Sequence, residues 1–318
     1  MNPTTSQRKP YGLFLSIIAG IFLLQSCVSN LIYRKKHSDS EVVPVAVDDN
    51  NPFYNWPFQT SAEKVWDLIH TDLALNVHFD SSSIDGYATL TLKPHFYSQD
   101  SLVLDAVNME IYEVLTHIEE SKGGVNGSNV FIPPPTRLTF NYRQNKKLVV
   151  YFNETIIANQ PVSIRIQYSA TPGKKDTTWI NTENEAISDD IGMYFINAEG
   201  KNPTKPTQMW TQGEPQSNCH WFPTLDAPNQ KHTQRISITF PGNMQSLSNG
   251  ELKSSVDMYG NNGSHSRTDV WVQNKPHAPY LTMLAVGNWV RVKDSLPWPI
   301  DPNLRKKETL PIEYLVEP

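Results

Sequence analysis

Histidine and cysteine are the side chains in this sequence best suited to hold a metal ion, and their spacing matches no common zinc motif. None of the nine histidines is followed by Glu and no two are four residues apart, so the helical motif H-E-x-x-H does not occur. The sequence also has no G-x-S-x-G nucleophile elbow and no phosphate-binding glycine loop. Thiolate and imidazole suit zinc, but Cys219, His220 and His232 lack a second Cys pair or a matching His spacing. The pattern therefore favours a core thiol beside ordinary histidines over a metal site.

Charge and composition exclude further classes of protein. The 318 residues carry a net charge of -5, whereas a nucleic-acid-binding domain is normally basic. Apolar side chains make up 38% of the chain, which is enough for a folded core, and two cysteines cannot build a disulfide framework. We therefore expect one large or two smaller folded domains that do not bind nucleic acid.

The first residues have the pattern of an export signal. Arg8 and Lys9 precede a short uncharged apolar stretch that ends in Leu24-Gln25-Ser26-Cys27. The apolar run is too short to span a bilayer comfortably. This pattern resembles a bacterial lipoprotein signal, which implies removal of residues 1–26 and lipidation of Cys27. The alternative is an uncleaved N-terminal anchor, and both imply an exported, membrane-anchored protein on the periplasmic or cell-surface side.

Residues 27–62 have the composition of a tether. Arg34-Lys35-Lys36 and Asp48-Asp49-Asn50-Asn51 supply charges and turn-forming residues, and no hydrophobic period is sustained. We predict a flexible spacer that links the lipidated Cys27 to a folded domain over residues 63–318.

From Glu63 onward the hydrophobic pattern is typical of strands that position any site. Apolar residues alternate with polar or small ones around a Ser81–Gly86 turn, which predicts a hairpin with one buried face. A short helix is predicted over Ser61–Ile69. The inward residues of the predicted hairpin are Leu73, Leu75, Val77, Phe79, Leu90 and Leu92.

Further short runs are rich in β-branched and aromatic residues, and proline and glycine separate them. Together they predict an all-β fold, an antiparallel β-sandwich. The predicted strands are Leu102–Val107, Ile111–Ile118, Leu148–Phe152, Val162–Tyr168, Ile236–Phe240, Asp269–Gln273 and Leu281–Val290.

Two neighbouring segments carry the most informative motif. They read Met209-Trp210-Thr211-Gln212-Gly213-Glu214-Pro215 and Trp221-Phe222-Pro223-Thr224-Leu225-Asp226-Ala227-Pro228-Asn229. This sequence resembles the M1 family of zinc aminopeptidases, in which T-Q-x-E is followed closely by F-P-x-x-D-x-P. The resemblance covers about residues 63–318 and implies the saddle-like N-terminal β domain of that family.

The resemblance also implies roles for individual residues. In the family, the Glu of T-Q-x-E helps to bind the free α-amino group of a peptide substrate and the Gln lines the same pocket, so Glu214 and Gln212 inherit these roles. A desolvated carboxylate against an ammonium group makes a charge-assisted hydrogen bond and would select unblocked peptide N-termini. The alternative for Glu214 is a solvated loop carboxylate. We expect Asp226 to fix its turn by accepting backbone N–H bonds beside Pro228, and not to act in catalysis.

This sequence also departs from the family. Family enzymes continue into a helical zinc domain with H-E-x-x-H, a distal Glu ligand and a G-x-M-E-N strand, and this chain has none of these motifs. Gly242-Asn243-Met244-Gln245-Ser246 is similar to the last motif but lacks its Glu. We therefore expect zinc to be bound by a missing or separate catalytic domain, and we predict that this chain alone is inactive.

Two hypotheses for function follow. In the first, the chain is the N-terminal, substrate-cleft-forming part of a membrane-anchored zinc aminopeptidase that removes N-terminal residues from peptides. In the second, it is an exported lipoprotein β-sandwich that serves as a binding or interaction module without catalysis. The strand-like ending Tyr314–Pro318 favours the first hypothesis, with a truncated chain, because a strand face that another domain should cover is an aggregation hazard.

Overall fold

The computed structural model describes residues 63–117, 135–172, 191–298 and 308–318. All of these residues belong to one contact-defined unit, Ser61–Pro318. The predicted signal peptide, residues 1–26, and the predicted tether, residues 27–62, lie outside the described residues, so both stay predictions, as does lipidation of Cys27. No helix among the described residues is long and apolar enough to cross a membrane.

The described part of the chain consists of β-strands with two single-turn 3₁₀ helices, η1 (Asn218–His220) and η2 (Pro279–Leu281). The strands are β1 (Trp66–His78), β2 (Ser83–Pro94), β3 (Gln99–Asp105), β4 (Met109–His117), β5 (Thr139–Arg143), β6 (Lys147–Ile156), β7 (Val162–Ala170), β8 (Met193–Ile196), β9 (Gln208–Thr211), β10 (His232–Pro241), β11 (Gln245–Ser248), β12 (Glu251–Tyr259), β13 (His265–His277), β14 (Leu284–Gly287), β15 (Val290–Trp298) and β16 (Glu308–Val316).

A seven-stranded sheet with the order β12-β13-β10-β1-β2-β7-β4 forms the largest layer. Its described strand pairs are antiparallel except β1 and β10, which run parallel. The predicted β1–β2 hairpin is confirmed, with Leu73 opposite Ala88 and Leu75 opposite Gly86. Gly86 has a φ of +147°, and a Cβ atom there would lie 2.0 Å from the Ala74 carbonyl oxygen, so the close approach of the strands requires glycine.

The core lies between this sheet and two smaller ones, β3-β6-β5 and β11-β14-β9-β8. Alternate residues of each long strand point into the core because side chains alternate across a sheet. Fully buried members of this single cluster include Leu73, Leu90, Ile166 and Ile236 of the large sheet, Leu102 and Leu148 of the three-stranded sheet, and Met209 of the four-stranded sheet. This arrangement confirms the predicted all-β sandwich.

The outer face of the large sheet is polar. Arg235 on β10 bridges to Asp72 on β1 at 3.0 Å, and the hydroxyl groups of Thr239 and Thr268 lie 2.8 Å apart across β10 and β13. An apolar inner face and a polar outer face are typical of a sheet that packs on one side only.

The helix predicted over Ser61–Ile69 is wrong where the structure describes it, because Trp66–Ile69 begin strand β1. Tertiary contacts override the local pattern here. The side chain of Gln230 accepts the Leu68 N–H at 2.9 Å and donates to the Trp66 carbonyl at 2.8 Å, as a neighbouring strand would. The Trp66 ring packs on Phe152 at 5.5 Å between ring centroids.

Candidate functional site

The loop that carries Gln212 and Glu214 begins where β9 ends. Strand β9 lies between β8 and β14, and the Gln212 N–H extends this pairing by donating to the Gly192 carbonyl at 2.9 Å. The hydroxyl group of Thr211 accepts the Leu284 N–H at 2.9 Å from the other side. Both neighbours therefore fix the start of the loop, while the side chains of Gln212 and Glu214 are exposed.

Close packing holds the middle of the loop against η2. A Cβ atom on Gly213 would lie 2.2 Å from the Tyr280 carbonyl oxygen, so only glycine allows this approach. The buried amide of Asn218 donates to the carbonyls of Pro279 at 2.6 Å and Thr282 at 3.1 Å. The side-chain oxygen Oδ1 of Asn218 accepts the Trp221 indole N–H at 2.8 Å. Asn218 thus ties the loop to η2 and to a core tryptophan.

The exposed carboxylate of Glu214 stands on a fixed backbone. The Ser217 N–H donates to the Gly213 carbonyl at 2.9 Å, and the Ser217 hydroxyl donates to the Glu214 carbonyl at 3.3 Å. No described residue donates a hydrogen bond to the side-chain carboxylate of Glu214. The Glu214 carboxylate can therefore accept hydrogen bonds from a cation. Because the backbone of the loop is already fixed, binding a cation would cost little backbone conformational entropy.

The second motif segment lies behind the loop. Trp221 and Phe222 are fully buried, with ring centroids 4.5 Å apart in an edge-to-face arrangement. Thr224 exchanges backbone hydrogen bonds with Asp105 of β3 at 2.8 and 3.0 Å. The segment is thereby anchored both in the core and to the three-stranded sheet.

Asp226 connects the second motif segment to η1 and to β3. It is 4% exposed, and its carboxylate accepts the Cys219 N–H at 2.9 Å, while its own N–H donates to the Asp105 carboxylate at 3.1 Å. Burial, together with the nearby negative charge of Asp105, raises the pKa of Asp226 to about 6, although the Cys219 N–H acts in the opposite direction. Asp226 therefore accepts a backbone N–H as expected, but from η1 and not from its own turn.

The histidines and cysteine considered as metal ligands have other surroundings. Cys219 is buried, and its thiol donates to the Gln216 carbonyl at 3.4 Å. Burial and then the neighbouring His277 lower the pKa of His232 to about 3. Across the described ranges, no group of three or more His, Cys, Asp or Glu side chains is placed to hold a metal ion. The described residues therefore do not fit a zinc site.

Asn218 and Asp105 were missed by the sequence analysis. Both act through backbone groups far away in sequence, on η2 and on the Thr224–Asp226 segment respectively. The position of Asn218 three residues before a tryptophan was the one local signal, because that spacing lets an amide reach the indole N–H.

The family profile described as "Peptidase M1 N-terminal domain" matches residues 68–281. The chain belongs to this family. The matched range contains both motif segments and strands β8 and β9, and it ends just before β14.

The match with this chain spans only part of the length of each relative. Leucine aminopeptidase 2 of Vanderwaltozyma polyspora is 27% identical over 229 residues, which are 70% of this chain and 28% of that protein. Transcription initiation factor TFIID subunit 2 of Schizosaccharomyces pombe is 23% identical over 212 residues, 65% of this chain and 18% of that protein. The chain thus spans less than a third of the length of these curated relatives.

Solved structures share the fold. The M1 zinc metallopeptidase of Deinococcus radiodurans superposes with a TM-score of 0.54 at 18% identity, over 76% of this chain and 46% of that one. A two-domain M1 zinc metallopeptidase bound to L-tryptophan gives a TM-score of 0.55 at 18% identity, over 80% and 49% of the two chains. The chain therefore spans about half the length of these structures.

Proposed function

We propose that this chain is the N-terminal, substrate-cleft-forming part of a zinc aminopeptidase, and that Glu214 and Gln212 bind the free α-amino group of a peptide. The observation that carries the proposal is the exposed Glu214 carboxylate on a loop fixed by Gly213 and Asn218. A carboxylate held in this way attracts an ammonium group and discriminates against a blocked N-terminus.

The relatives support this proposal. Two of them are named leucine aminopeptidase and zinc metallopeptidase, and one solved neighbour holds a free amino acid. A zinc ion in a further domain would supply activated water for hydrolysis. The described residues of this chain do not fit a zinc site, so the role proposed for them is to bind and orient the substrate amine.

Membrane attachment is part of the same proposal. The basic residues, short apolar run and Cys27 support export and lipidation, with residues 27–62 as the spacer to the folded domain. Such an enzyme would trim peptides outside the cytoplasm, at the periplasmic or cell-surface side of a membrane.

The test is hydrolysis of an unblocked aminoacyl-p-nitroanilide by the complete natural protein that contains this chain. We expect Glu214→Ala to lower kcat/KM by about 10- to 100-fold, because a hydrogen bond to a charged group contributes roughly 1.5–3 kcal/mol. Gln212→Ala is expected to have a smaller effect of the same direction. Glu154→Ala removes a carboxylate that is also exposed, on β6, and serves as the matched control.

Equal loss of activity in the Glu154 and Glu214 variants would remove the assigned role. So would unchanged affinity of Glu214→Ala for unblocked peptides. The readout also needs an N-acetylated copy of the substrate, on which both variants and the parent protein should act equally poorly.

The non-catalytic binding module is the second candidate, and the match to a transcription initiation factor subunit favours it. Sequencing the gene beyond the codon for Pro318 and translating each frame separates the two candidates. The aminopeptidase proposal expects H-E-x-x-H and a downstream Glu in that region. If no such motif follows and no separate zinc-domain protein restores activity, peptide binding by the chain itself becomes the function to measure.

A further inference from the structure

Strand β3 has one free edge. It is the outer strand of the sheet β3-β6-β5 and pairs with β6 on one side only. Backbone groups of successive residues in an antiparallel ladder point alternately toward and away from the partner strand. Asp105 points away from β6, because its N–H and carbonyl are bonded to Thr224. The register is regular from Ser101 to Asp105, so Val103 and Ser101 also point away from β6.

The outward groups of this edge are only partly paired. The Ser101 carbonyl accepts the Trp66 indole N–H at 3.0 Å, which confirms its outward direction. A continued bridge would place Asp226 opposite Val103, but the chain turns away after Thr224 and the Asp226 N–H bonds the Asp105 carboxylate. Among the described residues, the N–H and carbonyl of Val103 therefore have no hydrogen-bond partner.

A cavity of about 300 Å³ opens beside this edge, between β3, the start of β1 and the segment after Thr224. Its apolar wall consists of Val65, Trp66, Val103 and Leu225. Val65 is 39% exposed and Val103 is 48% exposed, so apolar surface remains available to a ligand. The volume is at the small end for ligand pockets and suits one large apolar side chain.

The charge at the cavity is negative. Glu63 and Asp105 line it, and Lys147 already pairs with Asp105. Lys64 bonds Asp67 at 2.6 Å and the Asn229 carbonyl at 3.2 Å, and no described cation lies within ion-pair distance of Glu63. A basic group beside the apolar one would therefore complement this wall.

We propose that the β3 edge and this cavity bind an extended peptide segment by strand addition. One peptide residue pairs with the N–H and carbonyl of Val103, an apolar side chain fills the cavity, and a lysine or arginine two residues away, on the same face of the extended peptide, faces Glu63. This site goes beyond the proposed function, because it recognises peptide backbone within a chain and requires no free α-amino group. It would hold a peptide at a place separate from Glu214.

The length of the free edge favours a flexible peptide over a second copy of this chain. Between the Thr224 bridge and the Trp66 indole, only Val103 has unpaired outward backbone groups. A rigid folded strand that paired with Val103 would therefore collide with the groups on both sides of it. A short extended peptide can make the two hydrogen bonds at Val103, and its ends can turn away from the Thr224 bridge and from the Trp66 indole.

The test is isothermal titration of the full chain with acetyl-Thr-Leu-Thr-Lys-amide, whose Leu and Lys share one face of an extended strand and whose blocked N-terminus excludes an amine site. We expect binding, and we expect Val103→Pro to weaken it about two- to tenfold, because one lost hydrogen bond corresponds to roughly 0.5–1.5 kcal/mol. Proline removes only the outward N–H, so the β3–β6 ladder is kept, and edge strands accept proline. Circular dichroism and thermal unfolding verify that the variant is folded.

Three matched comparisons isolate the mechanism. Val103→Ala keeps the N–H and is expected to lose less affinity than Val103→Pro. Glu63→Gln is expected to weaken binding up to about fivefold at low salt. Glu214→Ala is expected to leave binding of this blocked peptide unchanged, so failure here and failure of the proposed function are distinguishable.

Peptides N-methylated at each backbone amide in turn provide a test that needs no protein variant. At least one methylated copy is expected to bind about two- to tenfold more weakly, because it lacks the donor that pairs with the Val103 carbonyl. The proposal is overturned if the parent peptide does not bind, or if every methylated copy and Val103→Pro bind like the originals. Self-association that Val103→Pro abolishes, without peptide binding, would assign the edge to a second copy and also overturn it.

Discussion

At the scale of single residues, the buried carboxylate of Asp226 contributes to the dependence of stability on pH. Burial raises its pKa from 3.8 to about 6, so the folded state binds the proton more tightly than the unfolded state. Its contribution to stability is fully present below the unfolded pKa of 3.8 and is lost as the pH rises through about 6. A shift of this size corresponds to roughly 3 kcal/mol of unfolding free energy.

Asp226→Asn is expected to remove the contribution of this carboxylate to the pH dependence, since an amide can still accept the Cys219 N–H but cannot ionise. Urea unfolding of both proteins at pH 4 and pH 7 measures it. The variant should gain stability relative to the parent by roughly 2–3 kcal/mol between the two values. Asp226→Ala, which loses the hydrogen bond at every pH, is the control, and a parent–Asn difference that does not change with pH contradicts the interpretation.

The residues of the candidate site show what a sequence motif conveys. The T-Q-x-E segment identified Gln212 and Glu214, and the structure places both side chains on the exposed side of one loop. The reason that this loop is fixed could not be read from the sequence, because Asn218 and Gly213 contact η2, more than sixty residues later in the chain. Whether the two side chains bind an amine stays a prediction.

At the scale of elements, hydrophobic alternation located the long strands and failed for short or exposed ones. The predicted Val162–Tyr168 corresponds to β7, and Ile236–Phe240 lies within β10. Strands β8 and β9 are four residues long, which is too short to show a period. Every residue of β12 is exposed, and its alternation of Leu252, Val256 and Met258 is interrupted by Ser254, so the pattern that marks it is weak.

The hairpin β15–β16 carries an exposed apolar face. Its cross-strand pairs Val290–Val316, Val292–Tyr314 and Leu296–Leu310 share one face, and all six side chains are 44–52% exposed. The opposite face carries the ion pair of Arg291 and Glu313 at 2.6 Å. An apolar face of this kind promotes association.

We expect the isolated chain to self-associate through this face. Replacing Leu296 and Leu310 together by threonine, which retains strand propensity, should weaken association about tenfold or more. Each leucine is about half exposed, so burying the exposed part of its side chain in an interface contributes roughly 1 kcal/mol to the free energy of association. Sedimentation velocity over a concentration series measures the effect. The paired control replaces Lys293 and Glu313 by threonine on the polar face, and equal association of both double variants would show that another surface is responsible.

At the scale of the whole molecule, the proposed order of segments is a signal, a lipidated cysteine, a spacer and the folded domain. The folded domain lacks a described helix that could cross a membrane. The proposed attachment rests on Cys27, which follows a short apolar run, and on the spacer of residues 27–62. Two acyl chains give stable anchoring, whereas a single chain gives only marginal binding.

Expression in a bacterial host with intact-mass analysis tests this attachment. The parent protein is expected in the membrane fraction, with a mass that lacks residues 1–26 and includes a diacylglyceryl group on Cys27. Cys27→Ser is expected to retain residues 1–26, because the serine hydroxyl cannot form the thioether that precedes cleavage. A Cys219→Ser variant, which changes the other cysteine of the sequence, should behave like the parent. Membrane-bound parent protein that still contains residues 1–26 without lipid would instead establish an uncleaved anchor, which also exports the domain but attaches it through protein alone.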